Sequence, residues 1–316
     1  MGGFFGLELP DFNSFPYPES PNCAYVSSGR AAFECILANM PKPDCLWMPR
    51  FLCDTMLQAP ARLGITVRRY ECTEQLTPIL PDAGEQDIVL LVNYFGLTHK
   101  KVADAALKLP ARCIVDATTA LYSPPLPDVP TIYSPRKFAG VADGGVAHTP
   151  FPLAKLPATP STSAATSHYL LERLESGATA SMTSCEAAEA ALSSPPRRMS
   201  PLTRRLLRSI DFVHAARQRL ENYTTLHQAL GSINHLNLPD TPEHAPMCYP
   251  FVSGIPGLRD SLIDAGIALP LYWPEVIEAT DAADSANRLA RRTLPLPLDQ
   301  RYTKGDMERL LRLILG

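Results

Sequence analysis

A chain of 316 residues, at ~150 residues per domain, has room for two domains and a substantial core, which excludes a small scaffold held by disulfides. Its net charge of -3, from 29 Lys and Arg against 32 Asp and Glu, gives no long-range attraction to nucleic acid, so no nucleic-acid partner is expected. Eight cysteines contain no C-x-x-C pair, and several lie in apolar runs such as "AAFECIL" and "ARCIVD"; buried thiols in a reducing cytoplasm and no metal site are the expectation.

The amino-terminal "MGGFFGLELPDF" lacks a basic leader region, and its apolar stretch is too short for a membrane anchor, so a soluble cytoplasmic protein without a membrane partner is expected. From residue 29 to 149 the pattern alternates. A helix-like "GRAAFECILANM" precedes the apolar run "CLWMP", and a second helix-like stretch, "LCDTMLQAPARLG", precedes "ITVRRYEC". The strand "DIVLLVNYFG", a helix over 99–109 and the strands "ARCIVDAT", "TIYS" and "GGVAHT" follow. Short continuous apolar strands separated by helices predict an α/β fold with a mostly parallel sheet covered on both faces.

Residues 150–201 are rich in Ala, Ser, Thr and Pro, which predicts loops with one or two helices and a domain boundary near 195. A large domain over 1–195 and a smaller one over 196–316 are expected. The stretch "PRRMSPLTRRLLR" holds five arginines between Arg197 and Arg208, read as a solvated helix face in preference to a polyanion site. Beyond it, Leu206, Ile210, Val213 and Leu220 predict one stripe of a long amphipathic helix, interrupted by Arg217. "PMCYPFVSG" and "RTLPLPL" read as strands. Thr303 and Asp306 have capping-box spacing and open a closing helix with Met307, Leu310, Leu311 and Ile314 on its apolar face.

Ligands of open parallel sheets collect at the carboxyl ends of the strands, so polar residues just after apolar runs are the candidates. Ser27, Ser28 and Gly29 precede a helix and have the make-up of an anion cradle, or else supply an N-cap. Asn93 and Tyr94 end one strand. Asp116 ends another, where it needs a cationic partner or serves as a cap or in a salt bridge. Ser134 and Lys137 follow "TIY", and a partly desolvated lysine there is a Schiff-base former, whereas a solvated one is only surface charge. In this order along the chain, an anion cradle, a strand-end aspartate and a strand-end lysine match the phosphate, ring nitrogen and aldehyde of pyridoxal 5'-phosphate.

The stretches "SSGRAAFECIL", "MPRFLCDTMLQAPARLGITVRRYE", "DIVLLVNYFG" with "CIVDATTAL", "SPRKFAGVADGGV" and "LPLPLDQRYTKGDMERLLRLI" resemble, in order and over most of the chain, the DegT/StrS family of pyridoxal-phosphate enzymes. That resemblance implies the fold type I transferase architecture: a mostly parallel sheet sandwiched by helices and a smaller carboxyl-terminal α/β domain. It further implies that Lys137 is the Schiff-base lysine, that Asp116 pairs with the ring nitrogen and that Phe51 stacks on the ring. Ser28, Gly29, Arg30 and Ser134 then hold the phosphate, Thr119 stands where the family usually has glutamine, and Asn93 and Tyr94 face the substrate. The implied activity is amino transfer from an amino acid, glutamate in the family, to a nucleotide-linked keto-sugar, in a homodimer whose subunits complete each other's pockets. A dehydratase, a non-sugar aminotransferase and a non-catalytic relative stay open as alternatives.

Overall fold

The computed structural model describes residues 6–192 and 195–316; the first five residues of the amino-terminal stretch and the two serines 193 and 194 lie outside the described residues. Seven strands form one sheet: β1 (Cys23–Val26), β2 (Leu46–Pro49), β3 (Val67–Tyr70), β4 (Ile88–Val92), β5 (Arg112–Asp116), β6 (Thr131–Tyr133) and β7 (Gly145–His148). Their order is β1-β7-β6-β5-β4-β2-β3, and β7 alone runs against its neighbours β1 and β6. All five residues of β4 are buried, as expected of a strand covered on both faces.

Helices α1 (Gly29–Asn39), α2 (Gln58–Leu63) and α3 (His99–Ala106) fill the crossovers that parallel strands require. Each has a local reason to start or stop. Ser28 caps α1 by accepting a hydrogen bond from the Ala31 N–H (3.1 Å), and Gly64 ends α2 in the left-handed conformation at φ 60°. The Ala- and Ser-rich segment forms α4 (His168–Ala180) and α5 (Met182–Ala191), with α4 broken at Gly177 (φ 85°, ψ -177°).

Where one long helix was predicted, the chain makes two, α6 (Pro201–Arg208) and α7 (Phe212–Leu230). Asp211 accepts from the His214 N–H and caps α7, so Ile210 falls in the connection and the phase of the apolar stripe changes. Val213 is therefore 72 % exposed, and the buried face is Phe212, Ala215, Arg219, Tyr223, Leu226 and Leu230. Arg217 points outward beside Glu221 (4.0 Å); the buried arginine is Arg219. Nor is the arginine-rich face free. Arg204 pairs with Glu19 and Arg208 with Asp11, while Arg205 donates to the carbonyls of Leu9 and Pro10, so this face clasps the amino-terminal segment.

The strands β8 (Tyr249–Phe251) and β9 (Leu294–Leu296) form a separate antiparallel pair, accompanied by α8 (Leu258–Asp264), α9 (Pro274–Ala279), α10 (Ser285–Arg292) and α11 (Lys304–Leu315). The predicted capping box of α11 is present in both directions between Thr303 and Asp306. Around β8 and β9, Tyr223, Leu226, Leu258, Leu262, Leu298, Met307, Leu310 and Ile314 build an apolar cluster distinct from the one under the large sheet. Met199, Leu207, Phe212, Trp273 and Leu289 join the large cluster, so the division at 195 is a proposal about folding units and not a seam in the packing. Among the described residues no helix is long and apolar enough to cross a membrane.

Candidate active site

The turns that leave β1, β4, β5 and β6 lie at one end of the sheet, the carboxyl ends of strands that run the same way, where ligands of open α/β sheets collect. A cavity of about 210 Å³ opens there, lined by Ser28, Gly29 and Arg30 from the start of α1, Asp116, Thr118 and Thr119 after β5, and Ser134, Arg136 and Lys137 after β6. Three strand ends thus bring together seven of the predicted site residues: Ser28, Gly29, Arg30, Asp116, Thr119, Ser134 and Lys137.

Lys137 ends a 3-10 turn, Pro135–Lys137, in which Pro135 presets the backbone. The following Asp143-Gly144-Gly145 turn has two separate duties. Asp143 is buried and accepts from the N–H (2.8 Å) and hydroxyl (2.7 Å) of Ser200, which anchors the start of α6. Gly145 lies so close to α1 that a Cβ there would stand 2.0 Å from the Ser28 carbonyl oxygen, so no larger residue fits without displacing the cradle. Gly29 is equally placed: a Cβ would stand 2.9 Å from Thr118 Cγ2 and 3.6 Å from Ser134 Cβ, filling the space between the strand ends.

Thr118 joins the two titratable groups at the centre. Its N–H donates to Asp116 Oδ1 (2.9 Å), and its hydroxyl accepts from Lys137 Nζ (3.2 Å). Asp116 is 2 % exposed, and burial pushes its carboxyl above the usual aspartate range, opposed by the Lys137 charge and the Thr118 hydrogen bond. Lys137 has accessible surface because it faces the cavity, yet the protein crowded round its ammonium lowers its pKa, opposed chiefly by Asp116. Desolvation therefore drives the pair toward each other's neutral forms. A lysine brought nearer to its free amine and a carboxylate short of a cationic partner are the result.

Other predicted residues are placed differently. Phe51 does not line the cavity; it is fully buried, edge-on to Trp273 with ring centroids 4.5 Å apart and tilted against Tyr94. The backbone after β2 turns Phe51 into the core and gives Leu52 and Cys53 to the cavity instead. Asn93 and Tyr94 do not line it either. Asn93 accepts from the Thr98 N–H (3.1 Å), which organises the start of α3, and the Tyr94 hydroxyl donates to the Phe51 carbonyl (2.8 Å). Thr119 lines the cavity while bridging the Phe95 N–H and the Asn93 carbonyl through its hydroxyl.

The cavity also holds residues that the sequence reading passed over. Tyr272 and Trp273, from the connection into α9, form an aromatic wall. Trp273 has a left-handed backbone (φ 56°, ψ 61°) just before Pro274, an uncommon conformation for a bulky residue and the sort of local strain found at ligand sites. Two adjacent aromatics before a proline were the available signal. Arg136 adjoins Lys137 and pairs with Glu189 of α5 (2.6 Å), which also meets Arg30 (3.4 Å). Burial acts to raise the Glu189 pKa, but Arg136 and Arg30 outweigh it and hold the carboxyl below its ordinary value. Nothing in the surrounding "SCEAAEAAL" marks Glu189. All eight cysteines are free, and six are buried, with Cys53 at the cavity and Cys185 exposed against expectation.

No protein-family model matches the chain, and no curated protein matches it in sequence. Solved structures do match its fold. The sugar aminotransferase CalS13 from Micromonospora echinospora superposes with a TM-score of 0.66 at 15 % identity, over 93 % of this chain and 87 % of that one. A DegT DnrJ EryC1 StrS aminotransferase from Brucella abortus gives 0.62 at 15 % identity, over 95 % of this chain and 86 % of the other. The E. coli GDP-4-keto-6-deoxy-D-mannose-3-dehydratase, solved with bound hydrated PLP, gives 0.62 at 13 % identity, over 95 % and 88 %. The chain therefore has the α/β fold of these enzymes, with its cavity at the carboxyl ends of the parallel strands.

Proposed function

We propose that the protein binds pyridoxal 5'-phosphate in this cavity and acts as an aminotransferase, moving an amino group from an amino acid to a keto-sugar. One observation carries the reading: Thr118 bridges a buried aspartate and a lysine that faces the open cavity, at the centre of a cavity walled by the capped start of α1. The residues fit the cofactor's three anchors. Lys137 supplies the amine, Asp116 is a buried carboxylate in need of a cationic partner, and the Ser28–Arg30 cradle with Ser134 supplies donors for a phosphate.

Pyridoxal phosphate, when bound, supplies an aldehyde for amine exchange and a ring that takes up the electron pair left when a Cα proton is removed. The protein's part is to place and move protons. Lys137, its amine favoured by desolvation, would be the base that takes the donor's Cα proton and delivers it to the cofactor's aldehyde-derived carbon, across the intervening nitrogen. Asp116 holds positive charge at the ring nitrogen, and Thr118 fixes the spacing of the two groups. Trp273, backed by Phe51, gives an aromatic wall that excludes water.

Glutamate as donor, a nucleotide-linked keto-sugar as acceptor, a cytoplasmic location and a homodimer complete the proposal; the likeness in fold to a sugar aminotransferase and to a keto-sugar dehydratase supports the sugar chemistry at the level of class. The likeness to a dehydratase favours a second reading in which the same site removes water from a keto-sugar. Incubating the loaded protein with glutamate distinguishes them. Conversion of the cofactor to its amine form, with 2-oxoglutarate released, and amination of a nucleotide-keto-sugar are expected. Dehydration of the sugar would favour the second reading, and no conversion with any amino acid would favour a non-catalytic relative. Lys137→Ala should abolish the borohydride-reducible cofactor adduct; persistence of that adduct at one other lysine would displace Lys137 from its role.

A further inference from the structure

Arg30 lies in the first turn of α1, and Arg136 lies in the 3-10 turn that delivers Lys137. Their side chains are only 13 % and 15 % exposed, yet both are directed at one carboxylate, that of Glu189. Arg136 is fixed from a second side, its Nε donating to the Ala142 carbonyl (3.0 Å). Glu189 differs from both. It is 56 % exposed and stands on α5, in the segment whose preceding helix is interrupted at Gly177. At this end of the cavity two guanidiniums, Arg30 and Arg136, thus meet one carboxylate.

We infer that Arg136 joins Arg30 of the phosphate cradle to form one oxyanion subsite, and that Glu189 is the displaceable internal occupant of that subsite. The inference rests on the cofactor reading above, whose phosphate ester is the ligand group meant. Guanidinium forks accept carboxylate and phosphate in the same planar geometry, so a carboxylate seated between two of them marks where an oxyanion goes. A phosphate monoester brings about -1.5 to -2 charge and three acceptor oxygens, against one negative charge on Glu189. It would also adjoin the start of α1, whose first turn carries no acidic residue and whose dipole favours anions at that end. Glu189, half in solvent, is held by ion pairs of the screened kind that contribute little. Exchange of the carboxylate for a phosphate therefore improves the charge balance and frees α5 from the cavity wall.

Binding of inorganic phosphate, pyridoxal 5'-phosphate and unphosphorylated pyridoxal to the cofactor-free protein tests this by calorimetry. Glu189→Gln removes the competing charge and should tighten both phosphate-bearing ligands roughly fivefold, the size expected for an exposed ion pair, while pyridoxal binding stays as in the wild type. Arg136→Met should weaken phosphate and pyridoxal phosphate but not pyridoxal. If Glu189→Gln weakens the phosphate-bearing ligands or leaves them unchanged while the wild type binds pyridoxal phosphate, Glu189 is a fixed support and the inference is wrong, with the cofactor reading intact. A wild type that binds none of the three overturns both.

Discussion

Lys137 and Asp116 affect each other's titration in opposite directions from burial, and the sign of each effect can be separated by substitution. Burial favours the neutral amine of Lys137 and the neutral acid of Asp116, whereas their mutual attraction favours both charged forms. Because the Lys137 pKa is lowered in the folded protein, its contribution to stability is greatest above the usual lysine value of ~10.4 and declines as pH falls toward the folded value. Asp116, raised, behaves the other way, contributing below the usual ~3.9 and losing that contribution as pH rises through its folded value. Acylation of Lys137 in the cofactor-free protein, followed by peptide mass analysis across pH, should therefore give a midpoint below that of the surface lysines. In Asp116→Asn the largest counter-charge is gone, leaving the weaker influence of Glu189, so the midpoint should fall further. A midpoint that rises in the variant would show that the carboxylate was not stabilising the ammonium. Asp116 and Lys137 were legible as candidates because each follows an apolar run directly, but Thr118, whose backbone and side chain connect them, looks in sequence like any turn threonine.

The elements that carry these residues are fastened from the carboxyl-terminal part of the chain. Arg219 on α7 is 2 % exposed, donates to the carbonyls of Pro246 (3.1 Å) and Met247 (3.0 Å) and to Gln300 Oε1 (3.0 Å), and covers the ring of Phe138. Gln300 in turn donates to the Phe138 carbonyl (2.9 Å), one residue beyond Lys137. A buried guanidinium costs desolvation, which here lowers the Arg219 pKa, and it persists because three acceptors are arranged around it. Arg219→Met keeps the apolar length and removes those bonds, so it should destabilise the fold by roughly 1–3 kcal/mol for each acceptor left unpaired. Gln300→Ala, which leaves both the Phe138 carbonyl and the Arg219 Nε–H without their partner, should cost roughly 1–3 kcal/mol for each group left unpaired. Urea midpoints at constant slope measure both, and an Arg219→Met protein as stable as the wild type would show that the guanidinium is held for no structural purpose. The sequence pattern read a helix here but ran α6 and α7 together and assigned the buried face wrongly. An arginine counts as polar in any periodicity, and the cap at Asp211 that resets the phase is one residue among several that could have served.

At the scale of the molecule, what the sequence revealed were features encoded locally. Apolar runs such as Ile88–Val92 named the strands, and serine before α1 named a cap and a cradle together. Tyr272, Trp273 and Glu189 reach the cavity from segments far from β5 and β6, through packing that no short window of sequence contains. The same limit applies to Phe51, whose aromatic ring was read as facing the ligand and is turned into the core by one step of the backbone. The size of the cavity leads to the last prediction. At about 210 Å³ it falls below the ~300–1,000 Å³ of typical small-molecule sites, so one chain offers room for a cofactor and little more. The sugar acceptor of the proposed reaction would then need walls from elsewhere, and a second copy related by a twofold axis is the simplest source, since one contact patch serves both subunits. Such a dimer, if it completes the site, should bury more than ~2,000 Å² and persist on dilution. Sedimentation velocity at nanomolar concentration should show a single species of twice the chain mass, with glutamate-dependent conversion of the cofactor lost only under conditions that split it. A monomer at that concentration, still converting the cofactor at full rate, would mean that the chain's own cavity suffices for the donor half of the reaction and that no shared pocket is needed for it.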